Sequence, residues 1–163
     1  MGTNFFLRHK ATLEQKKRIK NFVDEDNFDN AIQVIKESTK IIHVGKRSYG
    51  WQFLFDLHRN KEWEDDEGGI EIEPNDFSLE TVQKYINDNV TSGEWVLEDE
   101  YGEEFTPEQF WKEEVGESLY NDPEHYINGK QYDAKHPDER HYYLENTEYT
   151  TKDGLRYDTR WFA

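Results

Sequence analysis

The chain has 163 residues and carries 36 Asp and Glu against 20 Lys and Arg, which gives a net charge of −16. It has no cysteine, which excludes a disulfide framework and a thiolate metal site. No apolar run reaches the length of about 18 residues that a membrane-spanning helix needs. The five Trp, ten Tyr and ten Phe favour a folded chain. We therefore expect one cytoplasmic domain over residues 1–163, with a core of aromatic side chains.

The first 58 residues predict three strands and two helices. The strands are Thr3–Arg8, Lys40–Val44 and Trp51–His58, and the helices are Leu13–Val23 and Asp29–Ser38. A turn over Gly45–Gly50 is expected to join the last two strands. Alternation along the third strand places Trp51, Phe53, Phe55 and Leu57 on one face of the sheet.

The rest of the chain continues the alternation of strands and helices. Ser78 is a cap for a helix that reaches Asn89, Glu94–Glu98 is a strand, and Thr106 with Pro107 and Gln109 is a strong helix start. A hairpin closes the chain over residues 148–162. The sequence therefore predicts an α+β fold, with an antiparallel sheet and helices packed mainly on one face.

Acidic residues are concentrated in the middle of the chain. Residues 62–124 carry 22 Asp and Glu against two Lys, a net charge of −20, whereas residues 1–50 have a net charge of +4. One interpretation is a solvated acidic face that keeps the protein soluble. The other is a surface that imitates nucleic-acid phosphates and binds a basic protein. Its candidate contact residues are Trp63, Asp65, Asp66, Glu67, Glu98, Asp99, Glu100, Glu103 and Glu104.

In the segment 43–51 two adjacent basic residues, Lys46 and Arg47, lie between Gly45 and Gly50. A P-loop is excluded, because Lys40 replaces the glycine that this motif needs before Gly45, and Arg47 stands where it needs Ser or Thr. Such a segment is commonly a connection between strands with cations on the surface. It is also a candidate for binding a phosphate or carboxylate group. The candidate anion-binding residues are His43, Gly45, Lys46, Arg47 and Ser48.

Catalytic and metal-binding motifs are scarce. No HExxH helix, Gly-x-Ser-x-Gly elbow or nucleophilic cysteine is present. The acidic stretch around Gly68 lacks the alternating ligand positions of an EF-hand loop. The sequence therefore predicts no cofactor and no metal site, and leaves an enzymatic activity undecided.

Several short motifs resemble those of small bacteriophage proteins of unknown function. They are Leu7-Arg8-His9, His43-Val44-Gly45-Lys46, Ser48-Tyr49-Gly50-Trp51, Asp99-Glu100-Tyr101-Gly102 and Asp153-Gly154. Many of those proteins carry a cysteine pair between the first two motifs, where this chain has residues 11–39 without cysteine. The resemblance implies a phage origin and supplies no activity.

Three functions follow as hypotheses. The leading one is a non-enzymatic phage accessory protein, acting in counter-defence or host takeover. It would bind a basic host protein through its acidic block, with no membrane and no direct nucleic-acid contact. The second is a small enzyme or binding protein for a phosphorylated small molecule, using residues 43–51. The third is a structural or assembly protein, for which no repeat or heptad pattern is present.

Overall fold

The computed structural model describes residues 2–48, 52–58, 68–116, 148–151 and 155–159. Within these residues seven strands form one sheet in the order β5-β4-β1-β2-β3-β7-β6. The strands are β1 (Gly2–His9), β2 (Ile41–Ser48), β3 (Leu54–Asp56), β4 (Trp95–Asp99), β5 (Glu104–Phe105), β6 (Glu148–Thr150) and β7 (Arg156–Asp158).

The helices lie between these strands, so the predicted α+β class is confirmed. They are α1 (Leu13–Asp24), α2 (Phe28–Ser38), α3 (Leu79–Thr91) and the short α4 (Pro107–Gln109), with a 3₁₀ turn at Pro74–Asp76. Capping boxes at Thr12, Ser78 and Thr106 start α1, α3 and α4. No helix in the described residues is long and apolar enough to cross a membrane.

The structure differs from the sequence predictions at three places. The turn predicted from Gly45 is wrong for its first four residues, because β2 continues to Ser48. The sheet is mostly antiparallel, but β3 and β7 pair in parallel. The helix that begins at Pro107 becomes a π-helix over Phe110–Gly116. In a π-helix the bonded residues are five apart, so Phe110 and Val115 both turn inward and are buried.

One face of the sheet carries the hydrophobic core. Phe5 and Leu7 of β1 and Leu97 of β4 point to this face and meet Val82 and Ile86 of α3. The residues between them in β1 and β4 point to the opposite face. We call the first the core face and the second the polar face.

Three phenylalanines from separate parts of the chain meet at the centre of the core. The ring centroids of Phe5, Phe53 and Phe110 lie 5.3–5.6 Å apart in tilted or edge-to-face arrangements. This spacing is favourable for aromatic pairs, which contribute beyond the area that they bury. All three side chains are almost fully buried. The trio therefore fixes the π-helix against the sheet.

A β-bulge interrupts the pairing of β1 with β2. Phe5 pairs with Gly45 and Phe6 pairs with His43, so Val44 is the extra residue. Gly45 has a φ of 156°, and a Cβ atom there would lie 2.3 Å from the carbonyl oxygen of Leu54. Glycine is therefore required at this position. The bulge places Val44 and Gly45 on the same side of the strand and reverses the alternation of the residues that follow.

We expect Phe110→Ala to lower the free energy of unfolding by about 3–5 kcal/mol, because it empties the centre of the aromatic trio. Tyr101→Ala is the matched control, since the Tyr101 side chain is 81% exposed, and its effect should stay within about 0.5 kcal/mol. Urea unfolding followed by tryptophan fluorescence measures both. Equal effects of the two variants would contradict the central role of the trio.

Candidate functional site

The polar face carries a group of ionisable side chains that are shielded from solvent. His43, Asp56, His58, Arg156 and Asp158 are all buried. The pairing register places them together, since Asp56 is the partner of Asp158 and both lie opposite the core face. Burying so many charged groups is unfavourable unless they are paired with one another. The centre of this face is therefore the first candidate for a functional site.

Asp56 holds two imidazoles at once. Its Oδ2 atom accepts a hydrogen bond from His43 Nδ1 at 2.5 Å, and its Oδ1 atom accepts one from His58 Nδ1 at 2.6 Å. The backbone N–H of His58 also donates to Oδ1 at 2.9 Å. Asp56 is fully buried, and three donors satisfy its carboxylate. We call His43, Asp56 and His58 the His–Asp–His cluster.

The cluster is connected to the surface through Asn4 and Glu100. His43 Nε2 lies 3.2 Å from Asn4 Oδ1, and Asn4 Nδ2 donates to Glu100 Oε2 at 3.3 Å. The contact with Glu100 fixes the orientation of the Asn4 amide, so His43 Nε2 faces an acceptor. His43 therefore links the buried Asp56 to Asn4, which leads to Glu100 at the surface.

His58 is bonded on one side only. Its Nδ1 donates to Asp56, whereas its Nε2 is buried and has no hydrogen-bond partner in the part of the chain that the structure describes. A donor at Nε2 would be left unsatisfied, which is unfavourable in the protein interior. This arrangement favours the tautomer of His58 that carries its proton on Nδ1.

The segment Gly68–Ile70 closes over the cluster. Gly68 accepts from the backbone of His43 at 2.9 Å, and Gly69 donates to the carbonyl of His58 at 3.0 Å. A Cβ atom on Gly69 would lie 2.8 Å from Asp56 Oδ1, so glycine allows the backbone to approach the carboxylate. In the structure these two glycines therefore let the segment pack closely against β2 and Asp56.

The burial of the His–Asp–His cluster limits its chemistry. A carboxylate that orients an imidazole through Nδ1 is common in catalytic and metal sites. Here the three side chains are at most 5% exposed, so none of them presents a reactive nitrogen to solvent. No group of His, Asp and Glu in the described ranges is arranged to hold a metal ion. In this structure the cluster binds strands together.

The candidate anion-binding residues lie on β2 and do not converge. Lys46 is paired in register with Asn4 on the polar face. Arg47 is on the core face and donates to Glu114 of the π-helix at 2.7 Å. His43 belongs to the His–Asp–His cluster, Gly45 is packed against β3, and Ser48 ends β2. The structure therefore does not bring Lys46 and Arg47 to a common anion.

The candidate partner-binding residues fall into four groups. Trp63, Asp65, Asp66 and Glu67 lie outside the described residues. Glu98 and Asp99 are engaged within the fold: Glu98 pairs with Arg8 at 2.7 Å, and Asp99 accepts from the backbone N–H groups of Tyr101 and Glu103. Glu100 is exposed and holds Asn4.

The last two candidates, Glu103 and Glu104, belong with two further exposed acids that follow them closely in the chain. Glu103 and Glu104 belong to the end of the β4–β5 turn and to the edge strand β5, Glu108 to α4, and Glu113 to the π-helix. All four are exposed, and in the described part of the chain their carboxylates form no hydrogen bond or ion pair. We call these four residues the acidic edge.

Arg8 is the cation that lies next to this edge. Its pKa is raised above the ordinary value, first by the hydrogen bond that it donates to Glu98, and also by the charges of Glu98 and Glu104, although its partial burial acts in the opposite direction. Glu98 and Glu104 are direct partners across β4 and β5. Arg8 therefore reduces the repulsion between Glu98 and Glu104, and among the described residues it forms its ion pair with Glu98 and not with the acidic edge.

Sequence reasoning did not identify Asp56, His58 or Asn4 as site residues. The available signal was Asp56-Leu57-His58, whose spacing of two places Asp56 and His58 on the same face of a strand. His43 could not be joined to them from the sequence, because the pairing of β2 with β3 brings it there.

Neither a scan against protein-family models nor searches of curated proteins and of solved structures found a match. The function is therefore argued from the chain's own residues.

We expect Asp56→Asn to lower the free energy of unfolding by about 3 kcal/mol, because an amide has one acceptor oxygen where the carboxylate serves two imidazoles, so one buried imidazole loses its acceptor. Asp88→Asn is the control, since Asp88 pairs with Lys84 on the exposed side of α3. That change should stay within about 0.5 kcal/mol. Chemical unfolding measures both, and equal stability of Asp56→Asn and the unsubstituted protein would contradict the role of the cluster.

Proposed function

We propose that this protein is a non-enzymatic binding protein that places its acidic edge against a basic surface of another protein. One observation carries the proposal: the four carboxylates of the acidic edge are exposed and form no ion pair with any residue that the structure describes, although their neighbours Glu98 and Glu114 are paired with arginines. Unpaired charges of one sign, held on regular elements, give the electrostatic complementarity that guides association.

The elements under the acidic edge are rigid. Asp99 organises the β4–β5 turn through two hydrogen bonds to its backbone, and the Thr106 capping box fixes the start of α4. Phe110 then anchors the π-helix in the core. The backbone that carries these carboxylates does not have to be ordered on binding, which favours affinity.

An exposed aromatic residue accompanies these charges. Tyr101 lies in the β4–β5 turn with its side chain 81% exposed, next to Glu100 and before Glu103. Tyrosine is enriched among the residues that dominate binding energy at protein interfaces. The two tryptophans of this part of the chain, Trp95 and Trp111, are half-buried, and their rings contact His9 and Phe55. Tyr101 is therefore the anchor that we propose.

The chemistry of the acidic edge suits a partner that ordinarily binds nucleic acid. Residues 94–116 contain nine acidic residues and one Lys, and B-DNA presents one negative charge per roughly 1.7 Å of its axis. A basic groove that accommodates phosphates can accommodate carboxylates as well. Direct binding of nucleic acid is disfavoured, because the phosphates would be repelled. A host nucleic-acid-binding or defence protein is the partner class that we propose, in line with the resemblance to bacteriophage proteins.

We expect the double variant Glu103→Lys/Glu108→Lys to weaken binding to such a partner by about tenfold or more, because it reverses half of the acidic edge. The experiment captures partners from a bacterial lysate with the tagged protein at low and at high salt. The affinity of the purified partner is then measured by calorimetry. Binding should fall as salt rises, and nucleic acid should compete for the partner.

The matched control is Asp76→Lys/Asp88→Lys, which makes the same change in net charge at exposed positions beside and within α3. This variant should retain the partner. Equal loss in the two variants would attribute binding to net charge alone. Retention of the partner by the Glu103→Lys/Glu108→Lys variant would overturn the proposal.

A further inference from the structure

The helices α1 and α2 form a hairpin that extends from one end of the sheet. His9, the last residue of β1, donates to the carbonyl of Lys40 at 2.9 Å, which closes the base of the hairpin beside β2. In the described residues α1 buries none of its side chains, and α2 buries Ala31, Val34 and Ser38. Most of the hairpin surface is therefore available for contact.

This hairpin exposes large apolar side chains to solvent, where burial against a partner would be more favourable. Of the six large apolar or aromatic side chains exposed in the described residues, five are on the hairpin, with exposures of 41–72%: Leu13, Val23, Phe28, Ile32 and Ile35. The last three are spaced at i, i+4 and i+7, so they form a stripe along α2. An apolar stripe of this kind marks an interaction surface.

Charge is sorted along the length of the hairpin. The tip, where α1 ends and α2 begins, carries Asp24, Glu25, Asp26 and Asp29. The half of the hairpin nearer the sheet carries Lys16, Lys17, Arg18 and Lys36 against Glu14 and Glu37, so its net charge is positive, and Lys20 lies between the two ends. All of these side chains are exposed, and none forms an ion pair with another described residue. One end of the hairpin is thus complementary in charge to the other.

We propose that this hairpin is a self-association surface, on which α2 packs antiparallel against α2 of a second copy around a two-fold axis. Asp29 and Lys36 are seven residues apart, so both flank the apolar stripe on the same side. Antiparallel packing places Asp29 of each copy beside Lys36 of the other. The acidic tip of each hairpin then lies against the basic half of its partner.

A second copy fits this surface because the chain supplies both halves of the charge pattern. A two-fold interface uses the same patch twice and must be complementary to itself. The helices are about 16–18 Å long, which gives a small four-helix interface of the kind that packs with a shallow crossing angle. We therefore expect an equilibrium between monomer and dimer that depends on concentration.

Sedimentation equilibrium of the full chain tests the proposal. The unsubstituted protein should dimerise as its concentration rises, and Ile32→Ser should remain monomeric. Tyr101→Ser, which removes an exposed aromatic residue far from the hairpin, should dimerise as the unsubstituted protein does. Circular dichroism melting verifies that each variant is folded, since Ile32 is half exposed and its loss leaves the core intact.

Charge reversal distinguishes a two-fold dimer from other associations. Asp29→Lys and Lys36→Asp should each weaken self-association by about tenfold, because attraction becomes repulsion at both ends of the interface. An equimolar mixture of the two variants should form heterodimers, since every repelling pair then becomes an Asp–Lys pair. The double variant Asp29→Lys/Lys36→Asp should dimerise with itself for the same reason.

Three results would overturn the proposal. A monomer at every concentration would exclude self-association. Single variants that dimerise as the unsubstituted protein does would exclude the α2–α2 register. Binding of the monomer to vesicles of anionic lipid, abolished by Ile32→Ser, would assign the basic and apolar hairpin to a membrane surface instead.

Discussion

The buried carboxylate of Asp56 connects the middle of the sheet to its surface. It holds His43 of β2 and His58, just beyond β3, and His43 in turn reaches Asn4 of β1. Asn4 is held by Glu100 at the end of β4. The four strands that are adjacent in the sheet, β4-β1-β2-β3, are thus joined on the polar face by one hydrogen-bonded chain. The aromatic core joins the same strands on the other face. Within this network the buried carboxylate of Asp56 is satisfied by three donors, as a buried charged group requires.

The β-bulge at Val44 determines which residues of β2 face this hydrogen-bonded network on the polar face. Without an extra residue, Val44 would continue the alternation and place Lys46 on the core face and Arg47 on the polar face. With it, Arg47 reaches Glu114 of the π-helix, whereas Lys46 shares the polar face with Asn4. The same strand thus contributes to both faces in an order that its sequence does not show. Gly45 allows this, since its backbone approaches Leu54 more closely than any side chain would permit.

Local sequence signals predicted most of the helices and strands. The features that they did not predict depend on pairing between residues that are far apart in the sequence. The cap at Ser78 and the helix start at Thr106 are properties of four consecutive residues, and both were located correctly. The parallel pairing of β3 with β7 joins residues about 100 positions apart, and no local pattern specifies it. The His–Asp–His cluster was missed for the same reason, because a histidine 13 positions before Asp56 meets it only after the strands pair. The acidic block was evident in the sequence, but the division into paired and unpaired carboxylates depends on Arg8 and Arg47.

The two proposed interaction surfaces lie at opposite ends of β1. The helical hairpin leaves the sheet at His9, where Lys10 donates to Glu94 before β4, and the β4–β5 turn lies beside Asn4. Five residue steps of strand, from Asn4 to His9, separate these ends by about 17 Å. A dimer formed through the hairpins therefore leaves both acidic edges free and directed away from the interface. Two edges on one particle can engage two basic sites, and the second contact then forms at a high effective concentration. A weak self-association of the hairpin would in this way strengthen a binding surface to which it contributes no contact.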